Sequence, residues 1–161
     1  MSLLFDKQAG LDVVAMVGVI AGFRIPRGAV EMGQVEVASV VSRFYAALRA
    51  NDVDAWVSLF AADATARDPV GSPTYRGRDE LRDFLSGVLQ RFETFGLIEE
   101  EVFCVPGGAA VRWAGSGRGR NGTDVTFRGI DVFTLDSEGR ITTLDAYWDA
   151  APVMEAISSP A

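Results

Sequence analysis

The chain reads as a single α+β domain in which helices come first and a curved, mostly antiparallel sheet follows. Apolar residues recur at helical spacing in the first half and alternate with a period of two in the second. Turn-forming clusters separate the alternating segments. With 161 residues, 48% hydrophobic and 23% charged, the chain suits one globular domain with a real core.

Residues 1–33 stand apart. LDVVAMVGVIAGF (11–23) is apolar but shorter than the roughly 20 residues a membrane span needs. Asp6, Asp12 and Lys7 make a poor positive flank for a signal peptide, and RIPRG makes a poor cleavage site. This segment is read as an extension that packs on the domain, or as the product of an upstream start choice with Met32 as the alternative start. It is set aside from the chemistry.

The domain is placed at 34–152. Val37, Val40, Val41, Phe44, Tyr45 and Leu48 form one apolar stripe on a helix beginning at Gln34. RANDVDAW breaks it, with Asn51 or Asp52 as cap, and VDAWVSLFA (53–61) reads as a second, shorter helix. DATARDP is a short strand ending at Pro69, because the residue before proline is pushed to extended geometry. VGSPTYRG is a loop. A third helix over 78–92 buries Leu81, Phe84, Leu85, Val88 and Leu89.

Four strands follow at LIEEEVFCV, AAVRWAGSG, DVTFRGIDVFTL and ITTLDAYWD, separated by Pro106-Gly107-Gly108, RGRNG and Asp136-Ser137-Glu138-Gly139. Residues 153–161 are read as a C-terminal tail ending in a frayed SSPA.

Composition removes several function classes. A net charge of −7 and a pI near 4.6 argue against a nucleic-acid-binding surface. The chain has no histidine, which excludes Ser-His and Cys-His nucleophile schemes and most zinc sites. Lys7 is the only lysine, which disfavours Schiff-base chemistry. The single cysteine, Cys104, cannot form an internal disulfide and suits a reducing, cytoplasmic setting. Carboxylates and tyrosines remain for proton chemistry, with no metal and no cofactor called for.

The most informative carboxylate is Asp131. Alternation in TFRGIDVFTL puts Phe127, Gly129, Asp131, Phe133 and Leu135 on one face, apolar except for the aspartate. There the carboxyl loses hydration, which raises its pKa and lets a neutral acid donate to a ligand oxygen. The competing explanations are a pairing with an arginine or backbone amide, or a register shifted by one. Asp68, ahead of Pro69, has its own bland explanation in turn chemistry. Together, one carboxylate at a loop edge and one on an apolar face make an acid/base pair. Trp113, Trp148, Phe127, Phe133 and Phe103 on the strands, with Trp56, Phe60 and Phe84 on the helices, supply a pocket for a flat apolar ligand, although ordinary core packing explains most of them. GSGRGRNG lies between strands and reads as a long hairpin turn. Glu99–Glu101 read as a solvated run, and Asp145 and Asp149 could line the rim.

The stretch VVSRFYAALRANDVDAWVSLFAADATARDPVGSP, then GRDELRDFL and IDVFTLDSEGRITTLDAYW, resembles the Δ5-3-ketosteroid isomerase branch of the NTF2-like (SnoaL-like) superfamily over about residues 35–150. The resemblance implies a cone: a strongly curved sheet closed by three helices, usually a homodimer through the sheet's outer face. It places Asp68 on the general base that shuttles a proton between two carbons of an enolisable ketone. Asp131 falls on the protonated acid of the oxyanion hole and Trp148 on an aromatic wall. Ketosteroid isomerases are themselves the standard instance of a carboxylic acid kept neutral to donate a hydrogen bond, so the raised pKa is partly what the resemblance implies.

One departure stands out. Phe44 occupies the position of the family's oxyanion-hole tyrosine, and Phe60 and Leu85 sit where supporting hydroxyls are expected. Tyr45 lies about 100° further round the helix and is not expected to substitute. Tyr75 or Tyr147 would have to supply a second donor, or the chemistry differs. Readings that need no such tyrosine are an epoxide hydrolase/cyclase of polyether assembly and a non-catalytic binder of hydrophobic ligands. The expected site is therefore Asp68 and Asp131 as catalytic residues, with Phe44, Phe60, Phe84, Trp113, Phe133 and Trp148 binding a small hydrophobic substrate. No membrane or nucleic-acid partner is expected.

Overall fold

The computed structural model describes residues 33–159, so the N-terminal extension up to residue 32 lies outside the described residues. Helix α1 (Gln34–Ala50) buries the stripe read from the sequence, with Val37, Val40, Val41, Phe44, Tyr45 and Leu48 all at most 4% exposed. Asn51 ends it in the left-handed region at φ 53°, and Asp52 starts α2 (Val53–Ser58) by accepting from Ala55 N at 2.9 Å. The two residues read as alternative caps thus each cap one helix.

Helix α2 stops three residues short of the expected Ala61. Phe60 and Ala61 instead open strand β1 (Phe60–Arg67), where Phe60 lies opposite Ile141. A short apolar run such as VSLFA satisfies either period, and the pairing partner decides. After a cis Asp68–Pro69 bond the chain forms the two-residue strand β2 (Tyr75–Arg76), inside the segment read as loop, and then α3 (Gly77–Leu89).

The rest of the sheet comprises β3 (Phe92–Val105), β4 (Gly108–Gly119), β5 (Asp124–Leu135) and β6 (Ile141–Tyr147). Strand order is β2-β1-β6-β5-β4-β3, antiparallel throughout except for the β1–β6 pair. That parallel pair brings the end of β1, and with it Asp68, beside the end of β6 that leads into Trp148. The ladder is open at β2 and β3, and bulges between Glu99 and Glu101 and between Thr134 and Leu135 bend it.

Helices α1 to α3 cover the inner face of this curved sheet, as the family resemblance implies. The core between them is aromatic: Phe44 meets Phe133 at 5.0 Å, Trp56 at 5.6 Å and Phe60 at 6.2 Å.

Of the segment 153–161 read as a tail, residues 153–158 are helical, and 160 and 161 lie outside the described residues. The helix is α4 (Ala151–Ser158), started by Pro152 in its first turn, and Val153 and Ile157 pack on Phe92. Asn121 anchors its far end by donating to Ala156 O at 2.9 Å and Ser159 O at 2.8 Å. Among the described residues no helix is long and apolar enough to cross a membrane.

Candidate active site

Strand β5 alternates as its sequence requires: Thr126, Arg128, Ile130, Val132 and Thr134 are exposed, while Asp131, Phe133 and Leu135 are buried. Asp131, 4% exposed, is the only polar or charged residue classed as buried among the described residues. It stands between Val111 on β4 and Ala146 on β6, and no arginine among the described residues reaches it. Its partner is Tyr45, whose O–H donates to Asp131 Oδ2 at 2.7 Å. Burial, followed by the negative charge of Asp68, pushes the Asp131 carboxyl up to about 7, against the pull of the Tyr45 hydroxyl and the Trp113 indole. Tyr45 itself is driven well above the usual phenol range by burial and by Asp131. The Trp113 N–H falls short of a well-formed hydrogen bond; like that of Trp56, it is buried without a partner among the described residues.

Asp68 follows the last residue of β1 and is partly buried. Its Oδ1 accepts from Trp148 Nε1 at 2.6 Å. Burial raises this carboxyl to about 6, with the indole N–H pulling the other way. Tyr75, partly buried and set against Phe84 at 4.5 Å, is raised by burial and by the charge of Asp68, so its phenol shares that neighbourhood.

Both carboxyls line one cavity of about 340 Å³, within the size range of small-molecule sites. Phe44, Phe84, Trp113 and Trp148 line it with them. Phe60 and Phe133 do not; they stand one layer back and support Phe44. Trp56, Tyr75 and Phe127 join the lining, and among the described residues Arg91 and Asp83 are its charged residues apart from the acid pair. Gly129 makes room for the two tryptophans: a Cβ there would meet Trp113 Cζ2 at 2.5 Å and Trp148 Cβ at 2.8 Å.

Other candidates separate from the site. Phe103 is 65% exposed, because the bulge at Glu99/Glu101 changes which β3 residues face inward. Tyr147 is 51% exposed and is not among the cavity-lining residues. Asp145 takes a bidentate contact from Arg67 at 2.6 and 2.7 Å, and Asp149 accepts from Ala151 N at 3.3 Å. Glu99 pairs with Arg49, while Glu100 and Glu101 pair with Arg112.

Two contacts escape a linear reading. Tyr45 belongs to the apolar stripe, yet a buried phenol needs a partner for its hydroxyl, and that requirement was the available signal. The Trp148 indole is a donor to Asp68 as well as a wall.

The SnoaL-like domain model matches residues 41–144, and this span holds Asp68, Asp131 and the whole sheet apart from the C-terminal end of β6. The chain belongs to the SnoaL-like family. Within the NTF2-like group, it is 32% identical over 118 residues to the steroid Delta-isomerase of Nocardioides simplex, covering 70% of this chain and 89% of that protein. Among solved structures it is similar to SalBIII, described as an epoxide hydrolase/cyclase-like enzyme in pyran ring formation in the polyether salinomycin. That likeness has a TM-score of 0.67 and 25% identity, covering 73% of this chain and 93% of SalBIII. An NTF2-like protein of unknown function from Burkholderia pseudomallei shares the fold, with a TM-score of 0.69 and 21% identity over 80% of this chain and all of that one. The relatives of this SnoaL-like protein therefore include enzymes of two reaction types.

Proposed function

We propose that this SnoaL-like protein is an isomerase of the ketosteroid type, moving a proton on a flat apolar ketone without a cofactor. The observation that carries the reading is the meeting of Asp68 and Asp131 in one largely apolar cavity, each carboxyl raised toward neutrality. The 32% identity to a steroid Delta-isomerase supports the same substrate class.

In this reading Asp68 works as the carboxylate and Asp131 as the neutral acid. Asp68 takes a proton from the carbon next to the ketone, and the electron pair moves to the ketone oxygen. The developing enolate oxygen accepts a hydrogen bond from the Asp131 carboxyl. Asp68 then returns the proton two carbons further along the dienolate, and the oxygen's electrons collapse to give a conjugated enone. The Trp148 N–H on Asp68 Oδ1 leaves Oδ2 for the proton. Exposed Phe103, Ile130 and Val132 on the outer sheet face support the homodimer that the family resemblance implies. The test is a steady-state assay with a Δ5-3-ketosteroid, following the rise in conjugated-enone absorbance. Wild type is expected to turn over and Asp68→Asn to lose turnover; binding without turnover in wild type would overturn the reading.

A second reading is favoured by one residue. Phe44 removes the donor that would stabilise an enolate beside Asp131, whereas opening an epoxide needs only an acid for the leaving oxygen and a base for the attacking hydroxyl. Asp131 and Asp68 suit those roles, and SalBIII is a structural relative. Turnover of an epoxy-alcohol with none of the ketosteroid would select it.

A further inference from the structure

Asp131 presents two oxygens, and among the described residues a protein hydroxyl holds only one of them. Tyr45 reaches Oδ2 from α1 at 2.7 Å, with its ring fully buried. Asp131 and Phe44 line the cavity and Tyr45 does not, so the bond arrives from the core side of the wall. The ring has little freedom to leave. It packs edge-on to Phe44 at 5.2 Å, and Phe44 packs edge-on to Phe133 at 5.0 Å. A carboxylic acid carries its proton on one oxygen, and an oxygen already accepting an O–H is the poorer place for it.

We propose that Tyr45 is the positioning residue of this site: by holding Oδ2 from the core side, it makes Oδ1 the oxygen that carries the proton and is offered to the ligand. This deepens the acid role proposed for Asp131 and rests on it. Neighbouring helix positions have divided one task. Phe44 occupies the cavity position from which a donor would touch the ligand, and Tyr45 supports the acid instead. The other groups that bear on Asp131 are few. Asp68 raises its pKa from the end of β1, and the Trp113 indole lowers it from β4. Glu99 on β3 acts on Tyr45 and is held by Arg49, while β6 contributes the non-titrating Ala146.

The test reads Asp131 directly on the full chain, by carbon-13 NMR of protein labelled at the aspartate carboxyl, with Asp131→Asn assigning the signal. Tyr45→Phe keeps the ring and deletes the donor. Because that donor favours the carboxylate, its loss is expected to raise the Asp131 titration by about one pH unit, roughly the worth of one hydrogen bond. The alkaline limb of the kcat/KM profile on a Δ5-3-ketosteroid should move up with it. The value of kcat should fall by up to about 10²-fold with KM little changed, as expected for misplacement of a catalytic group. Replacing Tyr45 by 3-fluorotyrosine, a more acidic phenol of nearly the same shape, should move the titration down, which keeps the test alive if Tyr45→Phe does not fold. An Asp131 titration that stays put in the folded variants overturns the positioning role. A titration that follows Tyr45 in a chain without ketosteroid turnover supports the positioning and sinks the isomerase reading, so the two ideas fail separately.

Discussion

The end of β1 and the middle of β5 treat the same side chain in different ways. At the strand end, Asp68 keeps part of its surface open and takes one indole N–H. In mid-strand, Asp131 is sealed between neighbouring strands, takes a phenol O–H, and is raised further because Asp68 is already charged. Position in the sheet therefore separates two identical carboxyls into the more easily ionised and the less easily ionised member of a pair. Such a separation assigns base and acid without any difference in residue type. It also has a cost, since a buried carboxyl disfavours its own charged form.

Removing either member should break the comparison most severely. Asp68→Asn is expected to lower kcat/KM by about 10²–10⁴, the usual contribution of a general base. Asp131→Ala should cost about 10²–10³, the scale of one oxyanion donor. Both are checked by the enone-absorbance assay. Equal losses in the two single variants and the double variant would show that the pair acts as a unit.

Stability should respond in the opposite sense. Both folded-state pKa values lie above the ordinary carboxylate value, so the folded protein binds more protons than the unfolded chain between about pH 4 and 7. The contribution of these groups is most favourable below that window, falls as pH rises through it and levels above about 7. Asp131→Asn should therefore stabilise the fold at pH 8 by about 1–3 kcal/mol and leave it little changed at pH 4. Denaturant unfolding at the two pH values reads the difference.

Gly129→Ala probes the geometry between the two sites. The added Cβ meets Tyr147 O at 2.7 Å as well as the Trp113 indole and Trp148 Cβ, and should cost about 1–3 kcal/mol while displacing Trp148 from Asp68. Thermal unfolding and tryptophan fluorescence report the two effects. Phe44→Tyr should give the smallest change, a rise in kcat of less than about tenfold, since a new hydroxyl adds a donor worth about one ordinary hydrogen bond.

Much of this arrangement was legible in the amino-acid order. The α1 stripe and all twelve residues of β5 follow from periodicity, and Asp131 stands out as the one carboxyl on an apolar face. Asp68 was marked by its place before Pro69 and by the family resemblance. The misses have local causes. Phe60 belongs to a strand because Ile141 pairs with it from 81 positions away, and no window around VSLFA contains that partner. Helix α4 is short and opens on alanine and proline, and its apolar face has meaning only against Phe92. Tyr45 and Asp131 are 86 positions apart, and which of two neighbouring aromatic residues faces the cavity depends on the roll of α1 against the sheet.

The most direct test of the divided pair is the pH dependence of kcat/KM on a Δ5-3-ketosteroid, measured for wild type and Asp131→Asn. An ionised Asp68 and a protonated Asp131 coexist best between about pH 6 and about 7, so wild type should give a bell with limbs near those values. In Asp131→Asn the alkaline limb should vanish and the acid limb remain. A flat wild-type profile from pH 5 to about 8, or an alkaline limb that survives Asp131→Asn, would contradict the assignment of the two roles.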